Sequence, residues 1–139
     1  RFGTVYGFRA SKENSINKII DVALKKKEII YEGNKKNIRE YINVKDAAKI
    51  ALKTMDKKYA NKYIQITGNK KTSVIKALNI IKKELGFNSK IVFKNKKAVG
   101  HYIKSPENLK IKKAVKINLR HSTPFNIGIR ETIENKIKW

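Results

Sequence analysis

Apolar residues recur along this chain at two spacings, which alternate from one segment to the next. Alternation of apolar and polar residues is typical of strands, whereas apolar residues three and four positions apart are typical of helices that pack on one face. The resulting order of strands and helices predicts an α/β fold. The predicted strands lie at 1–7, 29–31, 41–44, 62–67 and 90–94, and the predicted helices at 15–27, 46–55, 74–85 and 122–139. Residues 95–118 are weakly patterned, with a break at Pro106.

The densest part of this pattern runs from Ile29 to Asp46. A short apolar strand meets a turn at Gly33, a second strand follows, and Asp46 is predicted to cap the next helix. Arg39 stands at the start of the second strand, in a chain whose cations are mostly lysines. Spacing alone leaves two interpretations of Arg39 open: a solvated charge on an edge strand, which is the commoner case, or an anion-binding side chain.

Two further helices carry recognisable end signals. Asn14 or Ser15 can cap the first helix, whose apolar positions share one face. Lysines at 25–27 close it, where cations complement the negative end of the helix dipole. Ser73 is predicted to cap the third helix, and Gly86 to end it.

The formal net charge is +23, and 34 of the 139 residues are lysine or arginine. A basic nucleic-acid-binding module is therefore an alternative function. Two features argue against it: lysines occur in every segment, and only five residues are arginines. Surfaces that read nucleic acids concentrate charge on one face and use arginine for bidentate contacts. The joint abundance of Lys, Ile and Asn is more typical of compositional drift. The positive charge of the chain still favours the binding of small anionic ligands.

Several kinds of chemistry have no residues to support them. Cysteine is absent, which excludes disulfides and thiolate metal sites and is compatible with a cytoplasmic location. No apolar run is long enough to span a membrane, so we expect a soluble chain without a membrane partner. His101 and His121 lack metal-ligand spacing, and no glycine-rich phosphate loop occurs. Tyr-x-x-x-Lys begins at Tyr31 and again at Tyr41, but a turn and a strand keep each pair off a common helical face.

The first predicted strand begins at Arg1, and no methionine precedes it. An isolated edge strand would expose unpaired backbone groups. We therefore expect the chain to be the downstream part of a longer protein, whose upstream part supplies the neighbours of this strand.

Three blocks of the chain match one family pattern. RFGTVYGFR at 1–9 is similar to R-x-x-x-x-Y-G-P-R, and residues 29–46 are similar to i-x-v-y-G-d-G-x-x-x-R-D-y-i-x-V-x-D-x-A. YIQITG at 63–68, followed by Ser73 and Val74, is similar to y-n-i-g-x-g-x-x-x-s-v. The chain thus resembles the C-terminal portion of extended short-chain dehydrogenases, the NAD-dependent sugar-nucleotide epimerase/dehydratase family. The resemblance covers nearly the whole chain, and the spacings agree across the three blocks.

The resemblance implies an architecture for residues 1–139. They would form the C-terminal part of a Rossmann-type enzyme: the last strands of its sheet and most of a small substrate-binding α/β subdomain. The N-terminal half would bind NAD or NADP through a glycine-rich loop, would carry the catalytic Ser/Thr and Tyr-x-x-x-Lys, and would precede Arg1. No catalytic residue is therefore expected in this chain. The intact enzyme would be an epimerase or a dehydratase, and a homodimer, as is common in the family, is a further expectation.

The resemblance also implies substrate contacts. Arg39 would bind the diphosphate of a nucleotide sugar through its bidentate guanidinium. Ile29 and Tyr31 would line the nucleotide base. The remaining contacts would come from Thr4 against the substrate, Arg9 at the border of the pocket, and Asn14 or Ser15 facing the phosphates at a helix N-terminus.

Some positions depart from the family pattern. Phe8 replaces a proline, Glu40 replaces an aspartate, and residues 34–37 keep only a loose version of the glycine turn. The family's second phosphate-binding arginine has no clear counterpart, and residues 100–106 resemble an H-Y-x-x-[ST]-P variant instead. The sugar, the choice between NAD and NADP, and the reaction are therefore open. A split protein that pairs with a separately encoded Rossmann half is a third hypothesis.

Overall fold

The computed structural model describes residues 1–94 and 114–138, in which strands and helices alternate. The strands are β1 (Thr4–Tyr6), β2 (Glu28–Glu32), β3 (Ile38–Asn43), β4 (Ile64–Gln65), β5 (Lys71–Ser73), β6 (Lys90–Lys94) and β7 (Val115–Lys116). The helices are α1 (Ser15–Lys26), α2 (Val44–Lys53), α3 (Val74–Leu85) and α4 (Phe125–Ile137), with a 3-10 turn at Lys57–Tyr59. This alternation confirms the predicted α/β class.

Most of the strand pairings are parallel. β1 pairs with β3, β2 with β6, and β4 with β7, all in parallel, whereas β5 joins β3 in the antiparallel sense. A parallel bridge between Phe2 and Ile66 extends the first sheet toward β4. β2 and β3 follow each other across Gly33 but belong to different sheets, so the turn between them is not a hairpin. Helices provide the long connections that parallel neighbours require.

Two apolar clusters join the helices to the strands. The larger one joins one face of α1 to β1, β2, α3 and α4, and its fully buried members include Ile20, Ile29, Ile81 and Ile129. The smaller one packs α2 on β3 through Ile42 and Ile50. The helical periodicity of the apolar residues in α1 and α3 therefore predicted their buried faces correctly.

Helix α4 is tied to each of the other three helices by an ion pair. Lys136 Nζ lies 2.6 Å from Asp21 Oδ1 on α1, and Arg130 Nε lies 2.8 Å from Glu84 Oε2 on α3. The third pair joins Glu131 to Lys45 on α2 at 2.9 Å. Partly exposed pairs of this kind contribute little each, so their main effect is to fix the direction of α4.

The prediction that Asp46 caps α2 is wrong. The helix begins two residues earlier, and Asn43 is its N-cap, with a side-chain oxygen that accepts the Lys45 N–H at 2.9 Å. Asp46 lies in the first helical turn, is only 2% exposed, and accepts the backbone N–H of Thr123 at 2.6 Å through Oδ2. The residue whose N–H this carboxylate accepts is 77 residues away. Local sequence does not reveal such a partner, so the residue type and position of Asp46 favoured the prediction of a cap.

Other boundaries differ in smaller ways. β3 begins at Ile38, so Arg39 lies inside the strand, and α4 begins at Phe125 after Pro124, without a side-chain cap. β5 and β7 were not predicted, because each is a short strand defined by a distant partner. The caps at Asn14 and Ser73 and the left-handed Gly86 at the end of α3 are confirmed.

Candidate functional site

The start of α1 lies against the end of β1, and Asn14 joins them. Its Oδ1 accepts the backbone N–H of Asn17 at 3.2 Å, and its Nδ2 donates to the Val5 carbonyl at 2.9 Å. This side chain therefore brings the helix N-terminus, with the exposed Ser15 as its first residue, to the strand that carries Thr4. Three of the predicted site residues thus meet at one junction.

Replacing Asn14 by alanine should lower the free energy of unfolding by about 1–2 kcal/mol, because one cap and one strand contact are lost together. Asn14→Asp should recover part of this loss, since the carboxylate can cap but cannot donate to Val5. Chemical denaturation of the purified chain measures both effects. Ser15→Ala is the matched control, and a loss as large as that of Asn14→Ala would contradict the assignment of the cap to Asn14.

The charge of Arg39 acts on two tyrosines. Burial raises the pKa of Tyr41 to about 12, with Tyr31 adding to the rise and the Arg39 charge opposing it. Burial also raises the pKa of Tyr31, and Arg39 again opposes the rise. The guanidinium is therefore close enough to both phenols for its charge to affect their pKa values, although Tyr31 and Arg39 lie on strands of different sheets.

The hydrogen bonding of Arg39 is incomplete. Its side chain is half-buried, and Nη1 donates to the adjacent Ile38 carbonyl at 2.9 Å. Within 1–94 and 114–138 it forms no ion pair with a carboxylate, whereas Arg130 is paired with Glu84. A guanidinium has five N–H donors in a planar fork, so most of its donors are available to an anion.

The last two predicted site residues have different surroundings. Ile29 is 0% exposed and belongs to the larger apolar cluster, so its side chain contacts protein. Arg9 is exposed, has a left-handed backbone with φ of 62°, and lies over the Phe8 ring at 5.7 Å. It lines a cavity of about 450 Å³ whose other walls are α1 and α4, and the remaining predicted site residues do not line that cavity.

An aromatic group next to Arg39 was not predicted from the sequence. The Phe125 ring lies 4.9 Å from Tyr41 and 5.0 Å from Tyr6, measured between centroids, and Tyr31 packs edge-on against Phe93 at 6.2 Å. The Phe125 ring thus packs on β3, which carries Arg39, whereas the Phe93 ring packs on Tyr31 of β2. Alternation along β3 could have suggested Tyr41, because it shares a strand face with Arg39.

The structure describes only part of the other candidate chemistry in the sequence. Residues 100–106 and His101 lie outside the described residues, and His121 is exposed. The part of the chain that the structure describes contains no group of three potential metal-ligating side chains and no helix long and apolar enough to cross a membrane. Tyr41 lies on β3 and its Lys45 is paired with Glu131, so this Tyr-x-x-x-Lys does not share a helical face.

Comparison with known proteins places this fold among sugar-nucleotide enzymes. The sequence model of the NAD dependent epimerase/dehydratase family matches residues 1–66. A Methanocaldococcus jannaschii protein, named as a candidate UDP-glucose 4-epimerase, is 30% identical over 100% of this chain and 44% of its own length. The chain is similar in sequence to the NAD-dependent epimerase/dehydratase family. It spans less than half the length of this relative.

Solved structures of several sugar-nucleotide enzymes share this fold. A UDP-N-acetylglucosamine 4-epimerase from Methanobrevibacter ruminantium, in complex with UDP-N-acetylmuramic acid, has a TM-score of 0.74 at 21% identity, covering 99% of this chain and 45% of its own. A Thermotoga maritima UDP-glucose 4-epimerase with UDP-glucose has a TM-score of 0.71 at 22% identity, with coverages of 99% and 45%. A dTDP-glucose 4,6-dehydratase from Bacillus anthracis, in complex with NAD, has a TM-score of 0.71 at 21% identity, with coverages of 99% and 43%.

Proposed function

We propose that this chain is the nucleotide-sugar-binding, C-terminal part of an NAD(P)-dependent epimerase or dehydratase, and that Arg39 binds the diphosphate. The sequence similarity to this family and the sugar-nucleotide enzymes among the structural neighbours support the substrate class. The same comparisons do not favour the alternative of a basic nucleic-acid-binding module. Residues 1–139 would then act together with a Rossmann half that holds the dinucleotide.

The observation that carries this proposal is the half-buried, unpaired guanidinium of Arg39. A buried or half-buried charge is costly unless it is paired and hydrogen-bonded. Within the described residues Arg39 has one backbone acceptor and no carboxylate. A diphosphate offers several anionic oxygens with the geometry that a guanidinium fork matches. An anionic ligand is thus the partner that would complete the hydrogen bonding of this side chain.

The other predicted contacts divide into two groups around Arg39. Tyr31, which is half-buried beside it, would contact the nucleotide base, and Ile29 on the same strand could contribute only through its backbone. Ser15 and Asn14 would face the phosphates, where the free N–H groups and the dipole of a helix N-terminus favour anions. Thr4 would contact the sugar, and Arg9 would border the site.

Catalysis would depend on the other half of the enzyme. The bound dinucleotide would supply hydride transfer, and the Ser/Thr and Tyr-x-x-x-Lys would come from the N-terminal half. This chain would bind and orient the substrate, so that binding energy at the diphosphate fixes the position of the sugar. On its own it should bind nucleotide weakly and should not turn over UDP-glucose with NAD. Turnover by the purified chain alone would contradict the assignment of the catalytic residues to the N-terminal half.

Arg39→Gln should weaken UDP binding by about tenfold or more, since hydrogen bonds to charged groups contribute roughly 1.5–3 kcal/mol. Arg120→Gln is the matched control, because it removes the same charge from an exposed position, and it should change the affinity by less than about twofold at physiological salt. Titration calorimetry with UDP measures both. Arg39→Lys should be nearly as weak as Arg39→Gln, because the charge remains but the bidentate fork is lost. Equal losses in Arg39→Gln and Arg120→Gln would mean that the general positive field binds UDP, and would overturn the assignment.

A further inference from the structure

The end of β3 that carries Arg39 is paired with a neighbouring strand on one side. β5 pairs with residues 38–40, whereas β1 pairs with β3 only at residues 41–43 in the described part of the chain. The Val74 N–H, at the start of the helix that follows β5, donates to the Asn37 carbonyl at 2.8 Å, so the turn before β3 is tied to the same side. Backbone hydrogen bonds thus hold this end of β3 from one side.

Glu40 supplies a contact from another part of the fold. Its Oε1 accepts a hydrogen bond from Lys116 Nζ at 3.0 Å, and the same ammonium donates to the Gly68 carbonyl at 2.9 Å. The Glu40 side chain is 16% exposed and that of Lys116 is 30% exposed, so water and salt screen this pair less than a fully exposed one. Because successive side chains of a strand point to opposite faces, the contact lies on the face of β3 away from Arg39.

We propose that Glu40 is a positioning residue for the diphosphate site, and that its ion pair with Lys116 fixes the position of Arg39. The inference rests on the proposed function, in which Arg39 binds the diphosphate. A guanidinium binds two phosphate oxygens at once only when its planar fork is aligned with them. Binding groups of this kind must be held within about 0.5 Å of the productive geometry. Glu40 makes no contact with the ligand and acts through the strand that carries Arg39.

The contact depends on the lengths of the two side chains. Glu40 stands where the family pattern has an aspartate, whose carboxylate would lie about one carbon–carbon bond, roughly 1.5 Å, nearer the strand. A retreat of that size takes a 3.0 Å contact beyond hydrogen-bonding distance. The Gly68 carbonyl also holds the ammonium, which limits how far Lys116 can follow. A longer side chain with several donors, such as arginine, could reach both acceptors.

Titration calorimetry of the whole chain with UDP tests the proposal through a variant that conserves charge. Glu40→Asp should weaken UDP binding by about fivefold, part of the roughly tenfold loss expected for Arg39→Gln. Glu84→Asp is the matched control, because it shortens the carboxylate that pairs with Arg130 at 2.8 Å, and it should change the affinity by less than about twofold. An unchanged affinity in Glu40→Asp, or equal losses in Glu40→Asp and Glu84→Asp, would overturn the proposal.

A double-mutant cycle separates the positioning of Arg39 from a general effect on the fold. In the Arg39→Gln background, Glu40→Asp should weaken UDP binding by less than about twofold, because no guanidinium remains to be misplaced. An equal loss in both backgrounds would mean that Glu40 acts independently of Arg39, and would contradict the proposal. Unchanged binding in Arg39→Gln would refute the diphosphate assignment itself, whereas a loss in Arg39→Gln without a loss in Glu40→Asp would refute only the positioning role.

Lengthening the partner of Glu40 provides a rescue. Lys116→Arg in the Glu40→Asp background should restore UDP affinity to within about twofold of the original chain, because the longer guanidinium reaches the shorter carboxylate. Chemical denaturation of each variant shows whether it is folded at the titration temperature. Unfolding of Glu40→Asp at that temperature would make the role of the pair structural and would contradict the proposal. A folded double variant that recovers no affinity would mean that this ion pair does not fix Arg39, and would also overturn it.

Discussion

Gly68→Ala should lower the free energy of unfolding by about 3 kcal/mol or more, a large share of the roughly 5–15 kcal/mol that holds a typical domain together. A Cβ at this position would collide with the backbone carbonyl oxygen of Tyr41 and would lie 2.9 Å from its carbonyl carbon. Because the colliding atoms are main chain, no side-chain rotation relieves the contact. Either the loop after β4 or strand β3 has to move.

The measurement is chemical denaturation of Gly68→Ala beside Gly86→Ala. A Cβ at Gly86 meets no atom within 4 Å, but the backbone there has φ of 72°, so alanine adds only left-handed strain of about 1–3 kcal/mol. Gly68→Ala should unfold at the lower denaturant concentration, with an unchanged dependence on denaturant. If Gly86→Ala proves the more harmful of the two, the close approach of the loop to β3 is wrong.

The consequence of Gly68→Ala should extend to the candidate site. Lys116 Nζ donates both to the Gly68 carbonyl at 2.9 Å and to Glu40 at 3.0 Å. Through Lys116 the loop therefore contacts β3 next to Arg39. Tyr41, the residue that Gly68 contacts, lies beside the Arg39 guanidinium. A displaced loop should therefore weaken UDP binding as well as stability.

The parts of this fold that the sequence predicted are those controlled by neighbouring residues. The Asn14 and Ser73 caps depend on side chains that reach backbone N–H groups three residues away, and Gly86 ends α3 because glycine adopts positive φ without strain. The apolar periodicity of α1 likewise identified its buried face. In each case the conformation is determined by residues that are close in sequence, so the local pattern was sufficient to predict it.

The parts that were missed depend on residues far apart in sequence. Asp46 has the residue type and spacing of a cap, but its oxygen accepts from the backbone N–H of Thr123, which is 77 residues away in the sequence. β5 exists because Lys71–Ser73 pairs with β3. Arg39 was identified through a family resemblance, while its proximity to Tyr31 depends on strands of two different sheets, which no local pattern encodes.

Gly128→Ala should destabilise the fold although alanine favours helices. Gly128 lies inside α4, where replacing glycine by alanine would ordinarily gain about 1 kcal/mol from helix propensity. Here the added Cβ would collide with the Tyr6 hydroxyl and lie 2.7 Å from Asn43 Nδ2 and 3.0 Å from Tyr6 Cε2. Both neighbours are buried, and forcing one extra carbon into a packed interior costs about 1–3 kcal/mol. The clash involves two buried neighbours and should exceed the propensity gain, for a net loss of up to about 2 kcal/mol.

A double-mutant cycle with Tyr6→Phe decides whether the Tyr6 hydroxyl is the cause. Removing that hydroxyl removes the nearest atom to the new Cβ, so Gly128→Ala should cost much less in the Tyr6→Phe background, with a coupling of about 1 kcal/mol or more. Asn126→Ala, at an exposed position in the first turn of α4, is the control and should show no coupling with Tyr6→Phe. If Gly128→Ala costs the same in both backgrounds, α4 does not dock on β1 through this contact. The short distance between Gly128 and Tyr6 would then have to be relieved by a shift of the whole helix.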